Sequence, residues 1–240
     1  MWLRDHLPSE VPRSRIMTFA YNSNLTDGKS INHGLKDFAD SLIDALKYVR
    51  ASDDEQRRPI LLICHSMGGL SVKFGQYGLL FLSTPHSGAD MANFSDLALD
   101  FAFLVAGVRK SLVEELKTFN PSIQEVIDDW KTMKPPHVIR YLHETNLTKT
   151  SVRNKQIVTS ISAGFIDTAA GPVSATDHRS ICRFETKFDK GWAKVPDTVK
   201  EIRRELLGRS VEAVEHAPNV HELPQELKYP DSVLSKSNSL

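Results

Sequence analysis

Pro59-Ile60-Leu61-Leu62-Ile63-Cys64-His65-Ser66-Met67-Gly68-Gly69 decides how this chain is read. The run from Ile60 to Cys64 is short, apolar and rich in branched side chains, the composition of a buried strand. It breaks straight into His65-Ser66-Met67 and then two glycines. A strand, a tight turn that carries a serine, and a helix beyond it are the parts that hold a hydroxyl out over the edge of a sheet. Small residues around such a turn let strand and helix pass close together.

This stretch resembles the nucleophile elbow of the α/β-hydrolases, whose pattern is G-x-S-x-G. Cys64 stands in place of the first glycine, and a thiol side chain is small enough for the crossing. Outward from the elbow, strands alternate with helices. Residues 15–21 read as a strand ending in an Asn-Ser-Asn turn. Leu35, Phe38, Ala39, Leu42, Ile43, Leu46 and Val49 recur at helical spacing and predict an amphipathic helix to about residue 51. Residues 52–58 read as a charged loop, and residues 77–83 as the next buried strand. Helices are expected over 97–108, 111–119 and 121–133, with strands over 138–142 and 156–161. Val199, Ile202 and Leu206 mark a final helix that Gly208 is expected to stop. The fold class predicted is α/β: a mostly parallel sheet with helices on both faces, lacking early strands. Residues 1–208 form that domain, and the polar residues 209–240 read as a linker or disordered tail.

Composition narrows the function. The 240 residues hold 30 basic and 30 acidic side chains, so no charge excess points to nucleic acid or an electrostatic membrane anchor. With 40 % apolar residues the chain can build a sizeable core. The two cysteines, Cys64 and Cys182, are far apart and have no metal-ligand spacing, so neither a metal nor a disulfide is expected. The first residues do not read as a secretory signal, and the most apolar stretch, residues 97–108, is too short to span a bilayer and contains Asp100. Composition therefore predicts a soluble intracellular chain. No cofactor is expected, because neither G-x-x-x-x-G-K-[ST] nor G-x-G-x-x-G occurs.

A serine hydroxyl needs a base to take its proton, and the base needs a partner to fix its tautomer. On this fold the chain order is serine, acid, histidine. His65 precedes Ser66 and is expected in a structural role. His86 is expected to order the turn after the second strand. His137 and His143 flank the strand over 138–142. His178, in the polar stretch Ala175-Thr176-Asp177-His178-Arg179-Ser180, lies where the base belongs. Two positions stand as the acid: Glu144, at the end of the strand over 138–142, and Asp167, after the next strand. Asp177 adjoins the histidine, and its side chain is expected to point away from it.

Several blocks together carry a more specific resemblance. They are Trp2-Leu3-Arg4-Asp5, the strand over 15–21, Ile63-Cys64-His65-Ser66-Met67-Gly68-Gly69-Leu70, Phe81-Leu82-Ser83-Thr84-Pro85-His86-Ser87-Gly88, His143-Glu144-Thr145, and Thr176-Asp177-His178-Arg179-Ser180-Ile181-Cys182-Arg183-Phe184. They resemble the lipase-like serine esterases grouped with the serine-active-site-containing protein and, more distantly, GPI inositol-deacylase, over about residues 1–195. The resemblance implies Ser66 as nucleophile, His178 as base and Glu144 as acid. It implies a lipid-derived acyl ester as substrate, a place at mitochondrial or endoplasmic reticulum membranes through peripheral contact, and in some members a larger parent chain.

Two departures shape the expectation. The family usually has a strand and a His-Gly-rich loop ahead of the Trp2 block, and that loop gives one of two oxyanion N–H groups. The other comes from the residue after the serine, the Met67 backbone. The crossover after the elbow is also short, nine residues from Met67 to Gly75. The chain is therefore expected to be an incomplete α/β-hydrolase with weakened turnover. The alternative is a catalytically impaired module that binds a lipid or a partner protein within a larger signalling-type protein.

Overall fold

A computed structural model describes residues 1–20, 35–69, 77–86, 138–149, 154–164 and 169–215. The chain divides into two compact units, Met1–Leu206 and Leu207–Leu240. The helices expected over 97–108, 111–119 and 121–133 lie outside the described residues, as do the stretch after the elbow and the tail beyond residue 215.

The centre is a parallel sheet. Strands β1 (Ile60–His65), β2 (Tyr77–Leu82) and β3 (Val138–Glu144) lie side by side, and β6 (Gly171–Val173) follows β3. All three pairings are parallel; Cys64 faces Phe81, Phe81 faces Tyr141, and Glu144 faces Val173. Parallel strands buried on both faces need apolar side chains without alternation. Gly78, Leu79, Leu80, Phe81 and Leu82 are all buried accordingly. Two short strands, β4 (Thr148–Lys149) and β5 (Asn154–Lys155), form a separate antiparallel pair. The fold is α/β.

One face of the sheet is covered by α6 (Lys194–Glu215) and by the short helices α1 (Trp2–Asp5) and α2 (Leu7–Glu10). Leu80, Val138, Leu142 and Val173 from the strands meet Val195, Val199, Ile202 and Leu206 from α6 in one buried cluster. Gly78 allows the close approach: a Cβ there would stand 2.4 Å from Ile202 Cγ2. Trp2 joins the same cluster edge-on to Phe184 and Trp192, with ring centroids 5.8 and 5.6 Å away. Its Nε1–H donates to the Cys182 carbonyl at 2.8 Å.

Four sequence expectations are corrected. Residues 15–20 form no strand: Met17 and Phe19 are exposed, and among the described residues no second strand pairs with β1 opposite β2. An extended segment becomes a strand only where a neighbour supplies the ladder. Residues 52–58 are not all loop. Ser52 and Glu55 make a reciprocal capping box that starts α4 (Asp53–Arg57), the S-x-x-E signal of a helix start. Residues 156–161 are not a strand either. Thr159 accepts from the Ser162 N–H and caps α5 (Ser160–Ala163). The strand ahead of His178 is instead β6, Gly-Pro-Val, whose composition argues against a strand. Gly208 does not stop α6, which runs to Glu215; a lone exposed glycine weakens a helix without ending it. The helix expected from Leu35 is present as α3 (Leu35–Val49), with Phe38 and Ala39 buried.

Candidate active site

The carboxyl ends of β1, β2, β3 and β6 converge on one place, the edge where parallel α/β sheets hold their ligands. At the end of β1 the backbone turns abruptly. Ser66 has φ of +56°, in the left-handed region that a non-glycine residue occupies at a cost. A single 3₁₀ turn, Ser66–Gly69, follows. Gly69 is required there: a Cβ would stand 2.4 Å from Thr84 Oγ1 and 2.9 Å from Phe81 Cδ1. Cys64, in the preceding strand, is buried, and burial pushes its thiol up to about 12. It stays a protonated, inert packing residue.

The loop after β6 brings His178 over this turn. Its Nε2 lies 3.0 Å from Ser66 Oγ. Its Nδ1 lies 3.5 Å from Glu144 Oε1, at the end of β3. A proton on Nδ1, facing the carboxylate, leaves Nε2 as acceptor for the serine hydroxyl. His178 and Glu144 are both almost fully buried. The backbone of His178 is clamped from two sides: its N–H donates to Thr148 Oγ1 at 2.9 Å, and its carbonyl accepts from His65 Nε2 at 2.8 Å. The loops after β3 and β6 are tied together where Thr145 and Asn146 donate N–H bonds to the Thr176 carbonyl at 3.0 and 2.8 Å.

Glu144 is a buried carboxylate with an unusual density of donors. Oε1 accepts from the Ile157 N–H at 3.0 Å and the Val158 N–H at 2.7 Å, and Oε2 accepts from Ser83 Oγ. Burial alone raises the pKa of this group, but hydrogen bonds from His178, Ser83 and Val158 outweigh it and hold the carboxyl below its usual range. The ring of His65 lies 5.1 Å from that of His178; burial, and then the neighbouring imidazole, push it down to about 4. His65 is thus a neutral donor to a carbonyl at neutral pH.

The structure therefore brings Ser66, His178 and Glu144 together, and places the Met67 N–H in the first turn beyond the serine. Asp167, the alternative acid, lies outside the described residues, as does His137. The Asp177 carboxylate is engaged in its own turn, where it accepts from Arg179 N–H, Ser180 N–H and Ser180 Oγ at 3.1, 2.8 and 2.7 Å. His86 is buried against Phe81 and Tyr141, and His143 donates from Nδ1 to the Glu144 carbonyl at 2.8 Å. Sequence reasoning passed over Ser83 and Thr148. Neither stands in a motif of its own, and only the strand order shows what they meet. Among the described residues no cluster of His, Cys, Asp and Glu could hold a metal ion, and no helix is long and apolar enough to cross a membrane.

No family model matches the chain. Curated relatives are named Protein SERAC1. The chain is 23 % identical to that of Danio rerio over 207 residues, to that of Mus musculus over 208 and to that of Homo sapiens over 205. Each match covers 78 % of this chain and 30 % of the relative, so the chain spans less than a third of the length of these relatives.

Proposed function

We propose that the chain is a serine hydrolase of acyl esters, working through Ser66, His178 and Glu144. The observation that carries this reading is the 3.0 Å contact of Ser66 Oγ with His178 Nε2, at a serine held with φ of +56°. Ser66 Oγ attacks the acyl carbon while its proton passes to His178 Nε2. The carboxylate of Glu144 stabilises the imidazolium through the Nδ1 proton. The Met67 N–H faces the oxygen that gains charge. His178 then returns the proton to the departing alcohol, leaving an acyl group on Ser66. A water molecule, deprotonated by the same imidazole, releases the acid. No step needs a metal or an organic cofactor. The substrate class, a lipid-derived ester, rests on the esterase resemblance of the sequence blocks, and so does residence at mitochondrial or endoplasmic reticulum membranes.

A fluorophosphonate probe tests the reading, because it reacts only with a serine activated by its own base. Labelling of the folded chain that disappears in Ser66→Ala is the expected result. A cooperatively folded chain that takes no label would instead be a binding module on a hydrolase scaffold.

A further inference from the structure

The hydroxyl of Ser83 sits where β2 ends, beside the carboxylate that ends β3. We infer that Ser83 is a positioning residue for the site, holding the Glu144 carboxylate oriented toward His178 and charged. The inference rests on the reading of Ser66, His178 and Glu144 as a triad, and it adds a fourth side chain to it.

Three observations carry it. Ser83 is fully buried, so its hydroxyl must find its partners inside the protein. It finds them on one residue: Oγ donates to Glu144 Oε2 and accepts from the Glu144 N–H at 3.1 Å. One hydroxyl thus ties the backbone and the carboxylate of Glu144 together and fixes the side-chain torsions between them. Second, Ser83 has φ of +46°. Glycine or asparagine suits that conformation better, so what serine contributes here is its hydroxyl rather than its backbone preference. Third, the two oxygens of Glu144 are divided. Oε1 faces His178 and accepts the Ile157 and Val158 N–H groups, while Oε2 takes its hydrogen bond from Ser83. Without Ser83 the carboxylate could rotate, and one buried oxygen would lose a donor.

The titratable groups around Glu144 among the described residues are His178, from the loop after β6, His65, from the end of β1, beyond the His178 ring, and His143, whose Nδ1 meets the Glu144 backbone carbonyl. The carboxylate itself also meets a hydroxyl and backbone amide groups, which do not titrate in this range. A donor that favours the charged form lowers a carboxyl pKa, so removal of Ser83 raises that of Glu144.

The test compares wild type, Ser83→Ala and Ser83→Gly; the glycine variant suits the positive φ and keeps a folded protein in hand. The Glu144 side-chain carboxyl carbon is titrated by NMR, with Glu144→Gln giving the assignment. The expected result is a midpoint moved to higher pH in both variants; an unmoved midpoint overturns the proposal. In parallel, the rate of fluorophosphonate labelling is followed against pH. Its acid limb should move to lower pH, because a carboxylate free to rotate stabilises the imidazolium less, with about a tenfold loss on the plateau. A loss uniform at every pH with an unmoved limb would mean that Ser83 is only structural. If the wild type takes no label, the hydrolase reading fails, and the carboxyl titration alone decides whether Ser83 holds Glu144.

Discussion

The imidazole of His65 donates from Nε2 to the backbone carbonyl of His178 at 2.8 Å. The residue just before the serine thus holds the main chain of the histidine that meets it. His65 ends β1 and His178 lies in the loop after β6, and their rings lie 5.1 Å apart.

Replacing His65 by alanine removes that donor and leaves a partly buried carbonyl short of a partner, a loss of about 1–3 kcal/mol. His178 then loses one of the two clamps on its backbone and keeps the Thr148 bond. We expect fluorophosphonate labelling of Ser66 to slow by about tenfold, with a lower unfolding midpoint in urea. A variant that labels at the wild-type rate would show that His65 does not fix His178.

Glu144→Gln keeps size and acceptor oxygen but removes the charge. A neutral amide cannot stabilise the imidazolium, and its NH₂ group competes to set the wrong tautomer on His178. Loss of the acid in such an arrangement costs about 10⁴-fold in turnover. Ester hydrolysis by purified wild type and variant measures it. A decrease smaller than tenfold would remove Glu144 from the site.

The strands and helices that sequence made legible are those with strong periodic or apolar signals. Tyr77–Leu82 carries a nearly unbroken apolar run and emerges as the central β2, and the helical recurrence from Leu35 emerges as α3. Gly171-Pro172-Val173 gave no such signal, because its strand character comes from pairing with Leu142, His143 and Glu144 rather than from its own side chains. The same holds at the site. A serine between a strand and two glycines announces itself locally. Ser83, Thr148 and the amides of Ile157 and Val158 do not, since each matters only through a residue 13 or more positions away in the chain. The capping box at Ser52 was legible and was overshadowed by the charge around it.

Acid should weaken the fold through His86. Burial against Phe81 and Tyr141 pushes its imidazole down to about 3. In the unfolded chain the same ring titrates near pH 6.5. Between those two values the unfolded state binds more protons, so stability rises with pH and falls as the solution is acidified from about pH 6.5 toward pH 3. The full effect is on the order of a few kcal/mol. Urea unfolding of wild type and His86→Phe at pH 7 and pH 5 measures it. The variant should lose less stability on acidification, and equal losses would contradict the assignment.

Gly69 sets the distance between the elbow and β2. A Cβ there would meet Thr84 Oγ1 at 2.4 Å, Thr84 Cγ2 at 2.5 Å and Phe81 Cδ1 at 2.9 Å. Thr84 and Phe81 are both fully buried, so neither can swing into solvent to make room. In Gly69→Ala the turn itself must therefore lift away from β2. Overpacking of this kind costs about 1–3 kcal/mol. Because Ser66 begins the same turn, its hydroxyl moves relative to His178, and a displacement of about 1 Å can lower reactivity about 10²-fold. Gly208→Ala is the control. A Cβ there meets nothing within 4 Å, and the position lies inside α6, so alanine should stabilise the helix by up to about 1 kcal/mol. Thermal unfolding and labelling rate, measured on both variants, separate the two cases. Gly69→Ala should lose stability and labelling together, while Gly208→Ala gains stability with labelling unchanged. Wild-type labelling in Gly69→Ala would mean that the elbow does not depend on this close crossing.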